Sequence, residues 1–290
     1  MDARRHDDAA TFREIASPFL MREPARNQLP IMIVHTLVTQ PEVYPEARLW
    51  TVVDGDEVVA AAVRTPPHNV ALADPVHEPA LDALVDVIAG EDPLAPGVVG
   101  NRPWAGRFAR RWAAGTGQVP RVSVAQGVFE LTRVIPAQGS SGSARRAGPQ
   151  DRPLIETWFE AFADEALPPE LAERSRQRSR LDGSFGEGDH VGFWLWEDDG
   201  RPRSMTGFST FPLGARIGPV YTPPEERGRG FASHLVACAS QALMDAGAQA
   251  CFPVHRSREP HVEQDLHGRG LRAGVRIGQH RVRRTGRVSH

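Results

Sequence analysis

PPEERGRGFASHLV, residues 223–236, leads from a Pro-Pro bend and two acids through an Arg-Gly-Arg-Gly turn into a helical pattern. Phe231, Leu235, Ala239 and Leu243 recur at every fourth position, predicting an amphipathic helix from about 229 to 246 that Gly247 stops. A helix beginning near Gly228 offers unsatisfied backbone N–H groups and the positive end of its dipole. Gly228 and Gly230 carry no Cβ, so oxygen atoms can approach the main chain closely, and Arg227 and Arg229 add charge-assisted donors. A single charge at such a terminus is worth only about 0.3 to 1 kcal/mol, so an anion needs several amides and an arginine acting together. A diphosphate suits the arrangement. The competing reading is a solvated turn whose arginines pair with Glu225 and Glu226. The dinucleotide fingerprint fits poorly: the third glycine is missing at its spacing, and PPEER separates strand from turn.

Upstream of the turn, GARIGPVYT reads as a strand and HVGFWLWEDDGRPRSMTGFSTF as a hairpin turning at Asp199-Gly200. PLIETWFEAFADEAL is helical, with Ile155, Trp158, Phe159 and Phe162 on one face. The small polar run AQGSSGS, residues 137–143, has the composition of a flexible joint and follows the strand-like GVFELTRVI. It divides the chain into a domain of residues 1–136 and one of residues 144–290, as a length of 290 residues also suggests. The first half shows helices at about 7–22 and 28–38, then a hairpin over 48–65 turning at Asp54-Gly55. VALA, a helix ended by Gly90, the short strand GVVG and a helix ended by Gly115 follow. Trp104, Phe108 and Trp112 share helical spacing and read as core, while His68, with no partner visible in sequence, reads as structural or exposed. Both halves run helix, hairpin, strand, helix, the pattern of a tandem duplication.

Composition removes several classes of chemistry. The chain has no lysine, so all 34 basic residues are arginine. The P-loop lysine, the kinase strand lysine and Schiff-base catalysis are thereby excluded, since arginine cannot replace the amine. Neither G-x-S-x-G nor H-E-x-x-H occurs. A net charge of −2 gives no global footprint for nucleic acid. No apolar run reaches the ~18 residues of a membrane span, and no apolar h-region follows the first methionine, so the expected location is the cytoplasm. Cys238 and Cys251 form no C-x-x-C pair and sit in apolar stretches, which predicts buried, unreactive thiols and no metal.

The strand GPVYT, the proline bend and Arg227-Gly228-Arg229-Gly230-Phe231-Ala232 together resemble the pyrophosphate loop of the GCN5-related N-acetyltransferases (GNAT), whose pattern is Gln/Arg-x-x-Gly-x-Gly/Ala. All six positions fit, and the resemblance covers residues 144–252. It implies an α/β (α+β) fold of two GNAT-like domains, each a mixed central sheet flanked by helices, the first degenerate because no such turn occurs there. It implies acetyl-CoA as cosubstrate and no metal, with the coenzyme diphosphate on the amides of Arg227, Gly228, Arg229, Gly230, Phe231 and Ala232. It also implies that the strand before the turn splays from its neighbour, leaving main-chain groups of Val220, Tyr221 and Thr222 to a pantetheine arm. The reaction implied is direct attack by a primary amine of a small molecule or protein, with neither nucleic acid nor membrane as partner. Glu160 and Glu165 lie where the family builds substrate loops, but carboxylates on a helix are usually solvated surface, so no catalytic residue is assigned.

The family continues with a strand and a helix that carries an Asn facing the coenzyme and often a Tyr serving as acid. Here the chain has no aromatic residue after Phe252, and from Val254 it holds nine Arg, five His and three acids. Such a segment, residues 254–290, reads as disorder rather than packed structure. An arginine-rich RNA-binding tail is one reading; a shifted reading frame explains more. Read from the second base of the Pro253 codon, synonymous choices spell LYTDLANPTSNKIYTAVGYEPV, which restores a Tyr-rich strand, an Asn-containing loop and a helix. Synonymous freedom alters mainly the middle base of each shifted codon, so the match is hard to reach by chance. A single inserted base near codon 253 is the expectation, and with it weakened coenzyme binding and turnover. Sequencing the genomic DNA tests it: the codons spell that string in the shifted frame, and codons that cannot do so refute the insertion.

Overall fold

The computed structural model describes residues 1–135, 139–167, 190–256 and 276–283, with positions 169 and 172. Two residues of the expected joint, and most of the segment from 254 onward, lie outside the described residues. The chain divides into two units. One runs from Met1 to Gln126 and takes in the strand Arg276–Arg283; the other begins at Gly127.

In the first unit β1 (Asp2–His6), β2 (Arg48–Asp54), β3 (Glu57–Arg64) and β4 (Val70–Leu72) pair antiparallel in that order, and β4 pairs parallel with β5 (Gly97–Asn101). Alternation along β2 and β3 sends Trp50, Val52, Ala60 and Ala62 to one face and Leu49, Ala61 and Val63 to the other. The helices α1 (Ala9–Leu20) and α2 (Gln28–Thr39) cover the second face through Phe12, Phe19, Val34 and Leu37. The helices α3 (Glu78–Glu91) and α4 (Trp104–Thr116) cover the first through Leu81, Leu84, Ile88, Phe108 and Trp112. Phe108 and Trp112 are buried and stacked, with Trp104 half-buried against the same cluster. His68 uses its backbone carbonyl to accept Arg64 Nε at 2.8 Å.

The second unit repeats the order. Its sheet runs β11 (Ala250–Arg256), β10 (Gly214–Tyr221), β9 (Arg201–Phe211), β8 (Val191–Asp198), β7 (Ser143–Arg146), with only the β10–β11 pair parallel. On one face α5 (Arg152–Ala166) packs Ile155 against Phe193, Leu195, Met205 and Tyr221. On the other, α6 (Phe231–Asp245) packs Phe231 and Leu235 against Trp196, and Leu243 against Ala215, Ile217 and Cys251.

Several boundaries move from their expected places, each for a local reason. The first helix starts at Ala9 because the Asp8 side chain accepts the Thr11 N–H at 2.6 Å. α3 runs past Gly90 to Glu91, where Asp92 turns away to meet Arg48 and Arg64. α4 continues past Gly115 to Thr116 because Gly117, at φ 68°, supplies the left-handed cap. The strand-like run at 127–135 is only the end of β6 (Val119–Val128), after which Phe129 N–H and Leu131 bond to the backbone of β11. Strands β1 and β7 have no apolar alternation and were not legible. Within the atypical segment, Arg276–Arg283 forms β12, paired antiparallel with β5. Cys251 is buried and its thiol is pushed up to about 11 by burial, as expected of an inert cysteine. Cys238 corrects the other half of that expectation: it lies off the apolar stripe of α6 and is exposed.

A part-buried ion pair ties β7 to the start of α5. Arg145 donates to both oxygens of Asp151, at 2.6 and 2.8 Å, and bridges to Glu197 at 2.8 Å, while Asp151 also accepts the Gly148 N–H. These bonds, the arginine foremost, hold the Asp151 carboxyl below its ordinary range. A depressed carboxyl contributes stability that is present above its unfolded pKa and lost as pH falls through the folded one. Asp151→Asn is expected to cost about 2 kcal/mol at pH 7, below the full value for a buried pair because Arg145 is partly exposed. In chemical denaturation the gap between wild type and variant closes as the pH falls below the ordinary carboxylate range.

Candidate functional site

The site grows from the end of β10. Its pairing with β9 runs from Gly214↔Phe211 to Ile217↔Phe208, breaks at a bulge, and resumes at Val220↔Thr206 and Tyr221↔Met205. On its other side the parallel pairing with β11 runs only from Gly214↔Ala250 to Ile217↔Pro253, although both strands continue. Past Ile217, therefore, β10 keeps one neighbour and parts from the other. Val220 and Tyr221 lie on that parted end, with Thr222 next. The Tyr221 carbonyl accepts the Ser204 hydroxyl at 2.9 Å, and the Thr222 carbonyl accepts Arg227 Nε at 2.9 Å. Two of the three residues expected to offer main-chain groups thus already have their carbonyls engaged by a side chain.

A short 3-10 helix, Pro224–Glu226, then turns the chain, Arg227 is extended, and α6 begins at Phe231 rather than near 228. Gly228 and Gly230 sit at φ 77° and 82°, the left-handed region that costs other L-residues about 1–2 kcal/mol each. Gly230 is the N-cap, so the N–H groups of Phe231, Ala232 and Ser233 point out of the first turn with no carbonyl behind them in the helix. The Phe231 side chain is itself core, buried beside Trp196 and Leu235. The expected joint braces the turn: Ser140 Oγ donates to the Arg229 carbonyl at 2.6 Å, and Trp196 Nε1 donates to the Ser141 carbonyl at 3.0 Å.

The two arginines of the turn differ in their partners. Arg229 donates to Glu226 at 2.6 Å, lies 3.4 Å from Asp198, and stacks 4.6 Å over the Phe231 ring; Glu226 is also held by Arg203. Glu226 and Asp198 are only 14% and 5% exposed. Arg227 instead reaches α5, where Nη1 and Nη2 donate to the two oxygens of Glu165 at 2.9 and 2.6 Å, and its guanidinium lies 5.9 Å from the Tyr221 ring. That carboxylate raises the Arg227 pKa, with desolvation opposing it. Burial raises the Tyr221 phenol, the Arg227 charge pulling the other way. The turn's formal charge is therefore cancelled by carboxylates, and its pull on an anion rests on main-chain N–H groups.

All nine residues singled out in sequence are consecutive or nearly so at this strand end and helix mouth. Glu165 belongs to the site as the partner of Arg227, which takes it out of contention as a free base. Glu160 is exposed, and nothing among the described residues ties it to the turn. Glu226 is the paired acid that the competing reading anticipates, whereas Asp198, Arg203 and Ser140 were missed; no local sequence signal marks partners that the sheet brings in from other strands.

Residues 154–260 match the model of the "Acetyltransferase (GNAT) family". A search of curated proteins found no match. Among solved structures, the chain is similar to a tandem GNAT protein from the clavulanic acid biosynthesis pathway, at 13% identity and TM-score 0.58, with 99% of this chain and 100% of that one covered. It is also similar to a GCN5-related N-acetyltransferase from Sphaerobacter thermophilus, at 19% identity and TM-score 0.59, covering 97% and 94%. A GNAT-family acetyltransferase from Colwellia psychrerythraea aligns at 11% identity and TM-score 0.52, covering 98% and 100%. At these identities the likenesses establish the fold.

The unequal settings of the two arginines give a stability test. Arg229→Gln breaks contacts to buried carboxylates and is expected to lower unfolding stability by about 1–2 kcal/mol. Arg227→Gln removes a half-exposed pair and an exposed bond to the Thr222 carbonyl, and is expected to change it by less than about 1 kcal/mol. Denaturant melts of the two variants side by side read the difference.

Proposed function

From a second unit that carries a domain of the acetyltransferase (GNAT) family, we propose that the chain is an N-acetyltransferase that moves an acetyl group from acetyl-CoA to a primary amine. The carrying observation is the parted end of β10 leading, through two left-handed glycines, into a helix mouth whose first N–H groups have no partner within the helix. A diphosphate fits that mouth: the glycines leave the main chain open to oxygen atoms, and the dipole favours negative charge. The residues that would hold it are Arg227, Gly228, Arg229, Gly230, Phe231 and Ala232, chiefly through their N–H groups.

The pantetheine arm, an extended chain with its own amides, would lie along Val220, Tyr221 and Thr222 as an added strand lies on an open edge. The Tyr221 and Thr222 carbonyls each already accept one side-chain bond, so the arm would take the main-chain groups of these three residues that face away from β9. A strand-edge N–H near the thioester polarises its carbonyl and stabilises the oxyanion that forms on attack. The amine nitrogen bonds to the acetyl carbon, the carbon–sulfur bond breaks, the nitrogen loses a proton and the leaving thiolate gains one. Holding both reactants in one cleft supplies several kcal/mol of the barrier reduction. The acceptor is an amine of a small molecule or a protein.

A second reading has its own observation. The β10–β11 register stops at Pro253, where the sequence loses its aromatic residues. A wall of the slot altered beyond that point leaves a module that takes up coenzyme without turning it over.

Calorimetric titration with acetyl-CoA, then thiol release over a panel of small amines and peptides, separates the readings. Binding with release that depends on an amine is expected; binding without release favours the impaired module, and no binding removes both. Gly230→Val, which forces a branched side chain into a left-handed position, is expected to weaken acetyl-CoA binding at least tenfold while circular dichroism stays unchanged.

A further inference from the structure

We infer that Glu165 is a positioning residue that holds Arg227 ready for the coenzyme diphosphate and is displaced by it, so that this carboxylate sets the donor affinity from a different helix. The inference rests on the acetyl-CoA reading above. Arg227 is fixed at three nitrogens: Nε on the Thr222 carbonyl, Nη1 and Nη2 on the two oxygens of Glu165. The first contact anchors the guanidinium to the end of β10. The other two spend its fork on a carboxylate that lies 62 residues away in sequence. A phosphate accepts the same parallel pair of N–H bonds, so it competes for the fork without needing the arginine to leave Thr222.

The exchange is easy in one direction. Glu165 and Arg227 are 46% and 43% exposed, and half-exposed pairs are worth at most about 1 kcal/mol. Glu165 is also poorly placed by its own helix. It is the penultimate residue of α5, beside Asp164, with no basic residue in the last turn, so the negative end of the helix dipole opposes its charge. Arg227 offsets that penalty while the diphosphate is absent. Arg229 has no such freedom, because its carboxylates are nearly buried and one of them also holds Arg203. Of two arginines that look equivalent in sequence, only Arg227 is set to exchange.

The sign of the effect separates this role from a merely structural one. Glu165→Gln keeps the shape of the side chain and removes the competing charge, so it is expected to tighten acetyl-CoA binding two- to fivefold and to make that binding more sensitive to salt. Glu165→Asp, whose arm is one methylene too short to reach the fork from the same backbone position, is expected to move in the same direction and guards against a folding artefact. In an Arg227→Gln background, Glu165→Gln is expected to have no effect on binding, since the cycle then contains no cation to release. Calorimetry at two salt concentrations reads all three. Wild-type protein that takes up no acetyl-CoA overturns the functional reading and this inference together. Wild-type protein that binds, with Glu165→Gln binding equally or more weakly, or tightening regardless of Arg227, overturns this inference alone.

Discussion

The second unit depends on a backbone constraint at one corner, where the chain leaves β10 and enters α6 through Gly228 and Gly230, both left-handed. Only there can the helix start with its first N–H groups aimed outward past a strand that has parted from β11. Side chains at those two positions would tax the turn by the usual left-handed penalty, and the mouth would be aimed elsewhere. The rest of the corner serves that geometry. Ser140 fastens the Arg229 carbonyl, Glu226 ties Arg203 to Arg229, and Phe231 anchors the first helical turn in the core beside Trp196.

Charge in this corner is arranged differently from what a row of arginines suggests. Every guanidinium of the turn already faces a carboxylate, so the site presents a field close to neutral and a set of fixed dipoles. Dipoles of this kind need no reorganisation when an anion arrives, whereas an uncompensated arginine pair would collect whatever phosphate the solution offered. The cancellation also explains why the competing sequence reading, a turn whose arginines pair with neighbouring acids, holds in part. Glu226 does pair with Arg229, but the bond stiffens the mouth instead of closing it.

What the sequence disclosed was whatever short-range periodicity or turn chemistry writes down. The hairpins at Asp54-Gly55 and Asp199-Gly200, the apolar stripe of α6 and the aromatic face of α5 all follow from residues within a few positions of one another. The six-residue turn was legible for the same reason. Edge strands β1 and β7 were not, because their charged sequences pair through backbone and carry no apolar alternation. Nor was the Arg227–Glu165 pair, since nothing in either segment encodes the approach of α5 to the turn. Cys238 shows the limit of composition: its neighbours are apolar, yet helical phase turns it outward.

The first unit shows that topology alone does not make such a mouth. There too a strand, β4, leads to a helix, α3, beside a parallel neighbour, β5. The connection from Ala73 to His77 contains no glycine. His77 Nδ1 accepts the Ala80 N–H at 3.2 Å, and Pro79 removes another donor from the first turn, so this helix start offers fewer N–H groups than that of α6. At the ends of β4 and β5, Asn101 donates to Asp74 at 2.7 Å and Arg26 donates to the same carboxylate at 2.5 Å. Asn27 accepts the Asp74 N–H at 3.0 Å. Asp74 thus ties together three segments of the first unit. Two copies of one strand-helix plan thus differ at the helix start, which is entered through left-handed glycines in one and carries a histidine side-chain cap in the other.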